Sequence, residues 1–406
     1  MTTPLRITYL APFFDPATQF GGPITSMRQL CRGMAGRGHQ VRVVTTDLGV
    51  GPDLPRDRWV ARDGYRIWYG QSRASTRPAP YHAPMLRAPL DEALADSDLL
   101  HLQLGLTLVN VLGRRRAQAH GLPYLYTPRG VLCPHRLRDR GWSKRLFLHA
   151  FERRIVHGAA ALHALTPKER DDLLGQGGEP ARIHVIPNGI DMGDPATWPS
   201  GEPFREAHGI ASDAPLVLFL GRLQRVKGLD LLLEAFAAAR RDVPGLTLAL
   251  AGPDEGAAEA ARRQAARLGV DDAVRFTGKV DGVMRLSAFR AADVFALTSY
   301  SEGLPVAVLE ACAIGAPVLL TDRCNLPEVA EARAGRVEPA DAGRLTAALR
   351  EMLADRAELA AMGERARRMI DERFAITSVV GRIEMLYRQV LGQAAAAGHA
   401  EVVGHG

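Results

Sequence analysis

Short apolar runs that alternate with helical stretches, in each half of the chain, constrain the fold more than any other feature. Ile7-Thr8-Tyr9-Leu10 is a continuous run of the kind that buries both faces in a parallel sheet. After a loop, Ile24, Met27, Cys31 and Met34 recur at helical spacing, Gly38 stands where a helix would stop, and Val41–Thr45 is the next strand. The second half repeats the order. Leu216–Leu220 leads through a glycine-bearing loop to a helical stretch over Gly228–Arg240, and strands follow at Leu246–Ala251, Val274–Phe276 and Val294–Leu297. This alternation predicts an α/β protein with a doubly wound, Rossmann-like parallel sheet in each half. A chain of 406 residues is too long for one ordinary core, which agrees with two domains.

Gly, Pro, Asp and Ser accumulate, and periodicity lapses, over Asn188–Asp213. The expected division is a first domain over 1–192, a hinge or linker over 193–213 and a second domain over 214–373. Ile383, Leu386, Tyr387 and Val390 mark a last amphipathic helix within 374–392, and the Ala/Gly-rich 393–406 is expected to be a disordered tail. Two such domains place ligand sites at the carboxyl ends of the strands, facing a shared cleft.

An apolar fraction of 47% with 24% charged residues excludes a mainly disordered chain. No apolar run approaches the roughly 18 residues needed to span a bilayer, and Met1–Ile7 has no signal-like character. Cys31, Cys133, Cys312 and Cys324 are scattered, without a Cys-x-x-Cys pair, and suit reduced thiols better than a disulfide framework or zinc site. A cytoplasmic protein is expected.

Charge is uneven. Residues 1–194 hold 26 Lys/Arg against 17 Asp/Glu, whereas 195–406 hold 25 against 28. Between Arg114 and Arg154 stand eleven basic residues and two acidic ones, Asp139 and Glu152. The first half should therefore meet something anionic: nucleic acid, a phosphorylated substrate or a membrane surface.

Three constellations carry chemistry. Gly221-Arg222-Leu223-Gln224-Arg225-Val226-Lys227-Gly228 directly follows a strand, and the next helix is expected to start near Lys227. Arg222, Lys227 and that helix N-terminus could together neutralise a diphosphate. Ser299-Tyr300-Ser301-Glu302-Gly303-Leu304-Pro305 follows another strand and ends on a proline suited to a first helical turn, with Glu310 further along the helix. Glu302 and Glu310 could accept hydrogen bonds from a polyhydroxylated ligand, and the N–H groups of Gly303 and Leu304 could meet its oxygens. Glu364 and Glu372 repeat the spacing, but in an Arg-loaded run with no glycine turn, as on a solvated helix face. The third constellation is Phe13-Phe14-Asp15-Pro16 through Gly21-Gly22-Pro23, where glycines could bring backbone close to a phosphate. His101 and His163 lie in strand-like runs and read as structural. Asp96-Ser97-Asp98 precedes a strand, away from any second ligand cluster, so no metal is assigned.

Gly-Arg-Leu-x3-Lys-Gly, followed about 75 residues later by Glu-Gly-Leu-Pro-x4-Glu, resembles the retaining group 1 (family 4) glycosyltransferases of GT-B fold, bacterial polysaccharide-assembly members among them. The Gly-Gly loop, Asn188-Gly189-Ile190-Asp191 and the final helix extend the likeness from about Leu5 to Val390. The resemblance implies a nucleoside-diphosphate-sugar as co-substrate, without cofactor or metal. Arg222 and Lys227 would hold its diphosphate, Glu310 its ribose and Glu302 the transferred sugar. Gly303 and Leu304 would offer N–H groups, Val280 would end the strand that seats the base, and Gly22 would approach the phosphate from the other domain. The final helix would cross back to the first domain. Many family members carry a histidine where Thr127-Pro128-Arg129-Gly130 stands, so Arg129 takes that catalytic place here.

The implied reaction is transfer to a hydroxyl with retention, by attack from the leaving-group face. Arg136, Arg138, Trp142, Lys144 and Arg145 interleave cations with an aromatic residue, which fits attachment to the inner face of the cell membrane and a glycan or lipid-linked acceptor in surface polysaccharide synthesis. The alternatives are a sugar-nucleotide epimerase or phosphorylase on the same scaffold, or a nucleic-acid-binding protein using 114–154. No nucleic-acid signature supports the last. Oligomeric state is not legible in the sequence.

Overall fold

The computed structural model describes residues 3–72, 83–134, 137 and 146–403. It divides into two units: Met1–Gly189 with Ile376–Gly406, and Ile190–Ala375.

In the first unit an eight-stranded sheet runs in the order β3-β4-β2-β1-β5-β6-β7-β8. Its strands are β1 (Arg6–Leu10), β2 (Gln40–Thr46), β3 (Trp59–Arg62), β4 (Tyr65–Gly70), β5 (Leu99–Gln103), β6 (Tyr124–Thr127), β7 (Ala161–Ala164) and β8 (Ile183–Val185). Pairing is parallel except at the edge, where β3 runs antiparallel to β4. That hairpin adds an antiparallel edge strand, which the sequence reading did not include, to the expected doubly wound parallel sheet. Its two-residue turn is Asp63-Gly64, both with positive φ (49° and 85°), and Asp-Gly is a pair that favours this turn because its twist matches the strands.

The second unit holds six parallel strands in the order β11-β10-β9-β12-β13-β14. They are β9 (Leu216–Leu220), β10 (Thr247–Ala251), β11 (Val274–Gly278), β12 (Val294–Leu297), β13 (Val318–Thr321) and β14 (Gly335–Glu338). The central strands are buried throughout, as unbroken apolar runs require.

Two boundary expectations change. Residues 193–213 are no free linker: helix Glu202–Ala207 packs on helix Gly282–Ala291, both in the second unit. Phe204 is fully buried, its N–H donates to Ser287 Oγ, and the Arg205 guanidinium donates to the carbonyls of Ala211, Ala214 and Ala291. The Ala/Gly-rich tail is helical to Val403, in one helix that starts at Ile376. Alanine's high helix propensity extends an element already anchored by packing.

That anchoring is extensive. Val379, Val380, Ile383, Leu386, Tyr387 and Val390 belong to the first unit's core around β1. The helix lies against helix Gly22–Gly36, and Gly33 permits the approach, since a Cβ there would stand 2.5 Å from Val380. Glu384 is held well down in pKa, to about 2, because Arg388, Arg37 and His39 outweigh its desolvation.

A polar chain runs through the same core. Tyr9 and Tyr387 hydroxyls meet at 2.8 Å, Tyr387 meets His101 Nδ1 at 2.7 Å, and His101 Nε2 meets Thr127 Oγ1 at 2.7 Å. Thr127 Oγ1 meets His163 Nδ1 at 2.9 Å, and His163 Nε2 meets the Ile186 carbonyl at 2.7 Å. A carbonyl only accepts, so His163 Nε2 carries a proton, and the order of donors follows back to the Tyr9 hydroxyl with both rings neutral. Burial enforces that neutrality, lowering His101 far below its ordinary value and His163 to about 3. Both histidines are structural.

Candidate active site

The strand order of the second unit reverses between β9 and β12. Helices leaving such neighbours depart to opposite faces and open a crevice at the carboxyl ends. The two loops emerging there are locked together. Gly228 has φ 63° and a Cβ on it would lie 2.0 Å from the Thr298 carbonyl, so only glycine fits. Thr298 Oγ1 donates to the Gly228 carbonyl at 2.8 Å, and the Tyr300 N–H to the Val226 carbonyl at 2.8 Å.

The lock sets Lys227 beside Glu302. Lys227 Nζ donates to Glu302 Oε1 at 2.6 Å, and Ser299 Oγ donates to the same oxygen at 2.6 Å. A third loop steadies the glutamate. Asn325, in the left-handed conformation, donates Nδ2 to the Glu302 carbonyl at 2.6 Å, and the Glu302 N–H donates to the Arg323 carbonyl at 3.0 Å. Among the described residues the N–H groups of Gly303 and Leu304 have no acceptor. Helix Val306–Ile314 then begins with Pro305 as its N-cap, just outside the first turn expected for it.

Arg222 and Glu310 are placed by other partners. Arg222 Nη1 reaches Glu255 Oε2 at 3.0 Å, and Gln224 donates to the same carboxylate. Glu310, buried on its helix, is bonded by Arg285 from helix Gly282–Ala291, whose guanidinium also lies 5.4 Å from the Phe289 ring centre. The helix after Lys227 starts at Leu229, beyond a short 3-10 turn over Arg225–Lys227, later than expected. Val280 is buried just past β11.

Sequence reasoning assigned no role to Ser299, Asn325, Gln224, Glu255 or Arg285. Asn ahead of Leu326-Pro327 is a legible left-handed turn signal. Arg285 and Glu255 lie too far along the chain from their partners for any local signal.

In the first unit, Gly22 opens helix Gly22–Gly36 behind Gly21 at φ 78°. Arg129 follows β6 with φ 57°, is 7% exposed, and donates to Gln103 Oε1, Ser26 Oγ and Asn188 Oδ1. Asp96 and Asp98 are engaged by Arg6, and Asp96 also by Arg42. Arg136, Arg138, Trp142, Lys144 and Arg145 lie outside the described residues.

Two units of this build define the GT-B glycosyltransferase fold, and solved structures share it. Sucrose-phosphate synthase from Thermosynechococcus elongatus superposes with a TM-score of 0.74 at 22% identity, covering 96% of this chain and 100% of that one. WaaG, a glycosyltransferase involved in lipopolysaccharide biosynthesis, gives 0.70 at 24% identity, covering 93% and 98%. Family models match both units: a glycosyl transferase 4-like domain over residues 21–189 and glycosyl transferases group 1 over residues 201–369. The chain belongs to the group 1 / family 4 glycosyltransferases.

Among curated relatives, the D-inositol 3-phosphate glycosyltransferase of Actinosynnema mirum is 35% identical over 185 residues, which is 43% of this chain and 44% of that protein. The GDP-mannose-dependent alpha-(1-6)-phosphatidylinositol monomannoside mannosyltransferase of Mycolicibacterium smegmatis is 29% identical over 317 residues, 76% and 80% of the two chains. The chain spans about half the length of the inositol-phosphate relatives it matches.

Proposed function

We propose that the protein transfers a sugar from a nucleoside diphosphate to a hydroxyl acceptor, with retention at the anomeric carbon. The observation that carries this reading is the pairing of Lys227 with Glu302 at the point where the second sheet changes direction. Breaking the anomeric C–O bond leaves negative charge on the departing diphosphate. Lys227, Arg222 and the free N–H groups of Gly303 and Leu304 are fixed in advance to meet that charge, which is the largest catalytic effect such a site can supply. Side-chain cations thus provide the positive field in place of a divalent ion.

Glu302 has its Oε1 committed to Lys227 and Ser299, which suits a hydrogen-bonding partner of the sugar better than a covalent nucleophile. The acceptor oxygen then attacks from the face the diphosphate leaves, and its proton passes to the departing phosphate oxygen. Glu310, oriented by Arg285, receives the ribose hydroxyls. The test is a thermal-unfolding screen with UDP-, GDP- and ADP-sugars. One nucleotide series should raise the midpoint in proportion to the logarithm of its concentration, and no shift with any of them would reject the reading.

The relative from Mycolicibacterium smegmatis is named for a phosphatidylinositol mannoside substrate, which supports a lipid-linked acceptor and a place in surface glycan assembly. In this reading the basic segment holds the protein on the inner membrane face; Arg115, Arg153 and Arg154 from that segment are exposed. Flotation with anionic vesicles should be lost on charge reversal at Arg136, Arg138 and Lys144, and unchanged flotation would remove the membrane role.

A further inference from the structure

In the loop after β12 the direction of one peptide matters as much as its position. In a trans peptide the carbonyl oxygen and the following N–H point to opposite sides of the chain. The Glu302 carbonyl accepts from Asn325 Nδ2 at 2.6 Å, and the N–H of the same peptide, on Gly303, has no acceptor among the described residues. That N–H therefore faces away from Asn325. Turning this one peptide by half a rotation would exchange its ends and present a partial negative charge where the N–H now points. The turn is absorbed by ψ of Glu302 and φ of Gly303, and glycine, having no Cβ, resists it least. Among the described residues no group other than Asn325 donates to the Glu302 carbonyl.

The loop that carries Asn325 is fastened to the end of β12 without help from this amide. Thr321 Oγ1 donates to the Ser299 carbonyl at 2.6 Å, and Cys324 Sγ to the Leu297 carbonyl at 3.3 Å. The Glu302 N–H donates back to the Arg323 carbonyl at 3.0 Å. Thr321 and Cys324 are buried. These three bonds fix where the loop lies, and the amide fixes which way the peptide after Glu302 turns. Asn325 itself is in the left-handed region (φ 53°, ψ 40°), where glycine would serve the turn equally well. Asparagine keeps that backbone and adds a donor that the turn does not need.

We propose that Asn325 is a positioning residue that keeps the Glu302–Gly303 peptide from flipping, so that the Gly303 N–H, and not the Glu302 carbonyl, meets an oxygen of the donor. This deepens the glycosyltransferase reading and rests on it for the ligand. The hold on the peptide rests on the hydrogen bonds alone.

Two variants separate the amide from the turn. Asn325→Gly keeps the left-handed backbone and removes the donor. Asn325→Asp keeps the shape but offers an acceptor, to which the flipped peptide can donate through the Gly303 N–H. The parent and both variants are titrated calorimetrically with UDP-glucose, GDP-mannose and ADP-glucose, and with UDP, GDP and ADP. In the series that binds the parent, Asn325→Gly should weaken binding about ten-fold, with circular dichroism unchanged, and Asn325→Asp should weaken it further. Loss with the nucleotide-sugar but not with the free diphosphate assigns the N–H to the sugar, and loss with both assigns it to the diphosphate. Either result supports the proposal. A crystal structure of Asn325→Asp should show the peptide turned, with the Gly303 N–H on the new carboxylate. That distinguishes a flip from simple repulsion of the diphosphate, and it decides the matter if Asn325→Gly does not fold. An unturned peptide there, or parent-like binding in a folded Asn325→Gly, overturns the proposal. A parent that binds none of these ligands sinks the glycosyltransferase reading first, and the inference with it.

Discussion

Lys227→Met is expected to lower kcat/KM about 10²–10³-fold, the usual cost of removing one preorganised group that stabilises developing charge. In the structure Lys227 Nζ lies 2.6 Å from Glu302 Oε1, and both side chains are largely shielded, at 16% and 11% exposure. Removing the ammonium therefore also leaves a shielded carboxylate with only Ser299 to satisfy it, and part of any loss could come from instability. The double variant Lys227→Met/Glu302→Gln separates the two effects. It removes the stranded charge, so its thermal midpoint should return towards that of the parent while kcat/KM stays low. Turnover within about three-fold of the parent in the single variant would reject Lys227 as a donor-binding cation.

Ending the chain after Ala375 is expected to unfold the first unit outright. The final helix contributes Val379, Val380, Ile383, Leu386, Tyr387 and Val390 to that core, every one of them buried. At about 1.5–3 kcal/mol each, their loss removes about 10 kcal/mol or more, as much as the whole stability of many domains, about 5–15 kcal/mol. Polar losses compound it. His101 Nδ1 and the Tyr9 hydroxyl lose their shared partner in Tyr387, and unmet buried groups cost about 1–3 kcal/mol apiece. Limited proteolysis should then digest residues 1–189 rapidly and leave a resistant fragment over 190–375. Equal resistance of both parts would show that the helix is dispensable.

Much of the fold was legible in the sequence because buried parallel strands announce themselves. Leu216–Leu220 and Val294–Leu297 have no polar residue to misread. Gly221 through Gly228 and Ser299 through Pro305 were legible as loops because glycine and proline punctuate them. What escaped was whatever depends on residues distant along the chain. No local pattern shows that Arg285 meets Glu310, that Glu255 meets Arg222, or that Arg129 would be enclosed by Ser26, Gln103 and Asn188. The linker was misread for the opposite reason: Gly, Pro and Asp do lie there, but Phe204 and Arg205 between them are buried. The Asp63-Gly64 hairpin was missed although its turn residues carry a strong local signal.

The first unit is assembled from both ends of the chain, with Ile190–Ala375 inserted between them. A ribosome delivers residues in order, so the inserted unit has its full sequence before the first has its last helix. Until Val390 has emerged, the apolar floor around β1 is uncovered, and the nascent protein must shelter it through the synthesis of some two hundred residues after Gly189. Chaperone demand should accordingly fall on the part of the first unit that precedes Ile190, not on the inserted unit Ile190–Ala375.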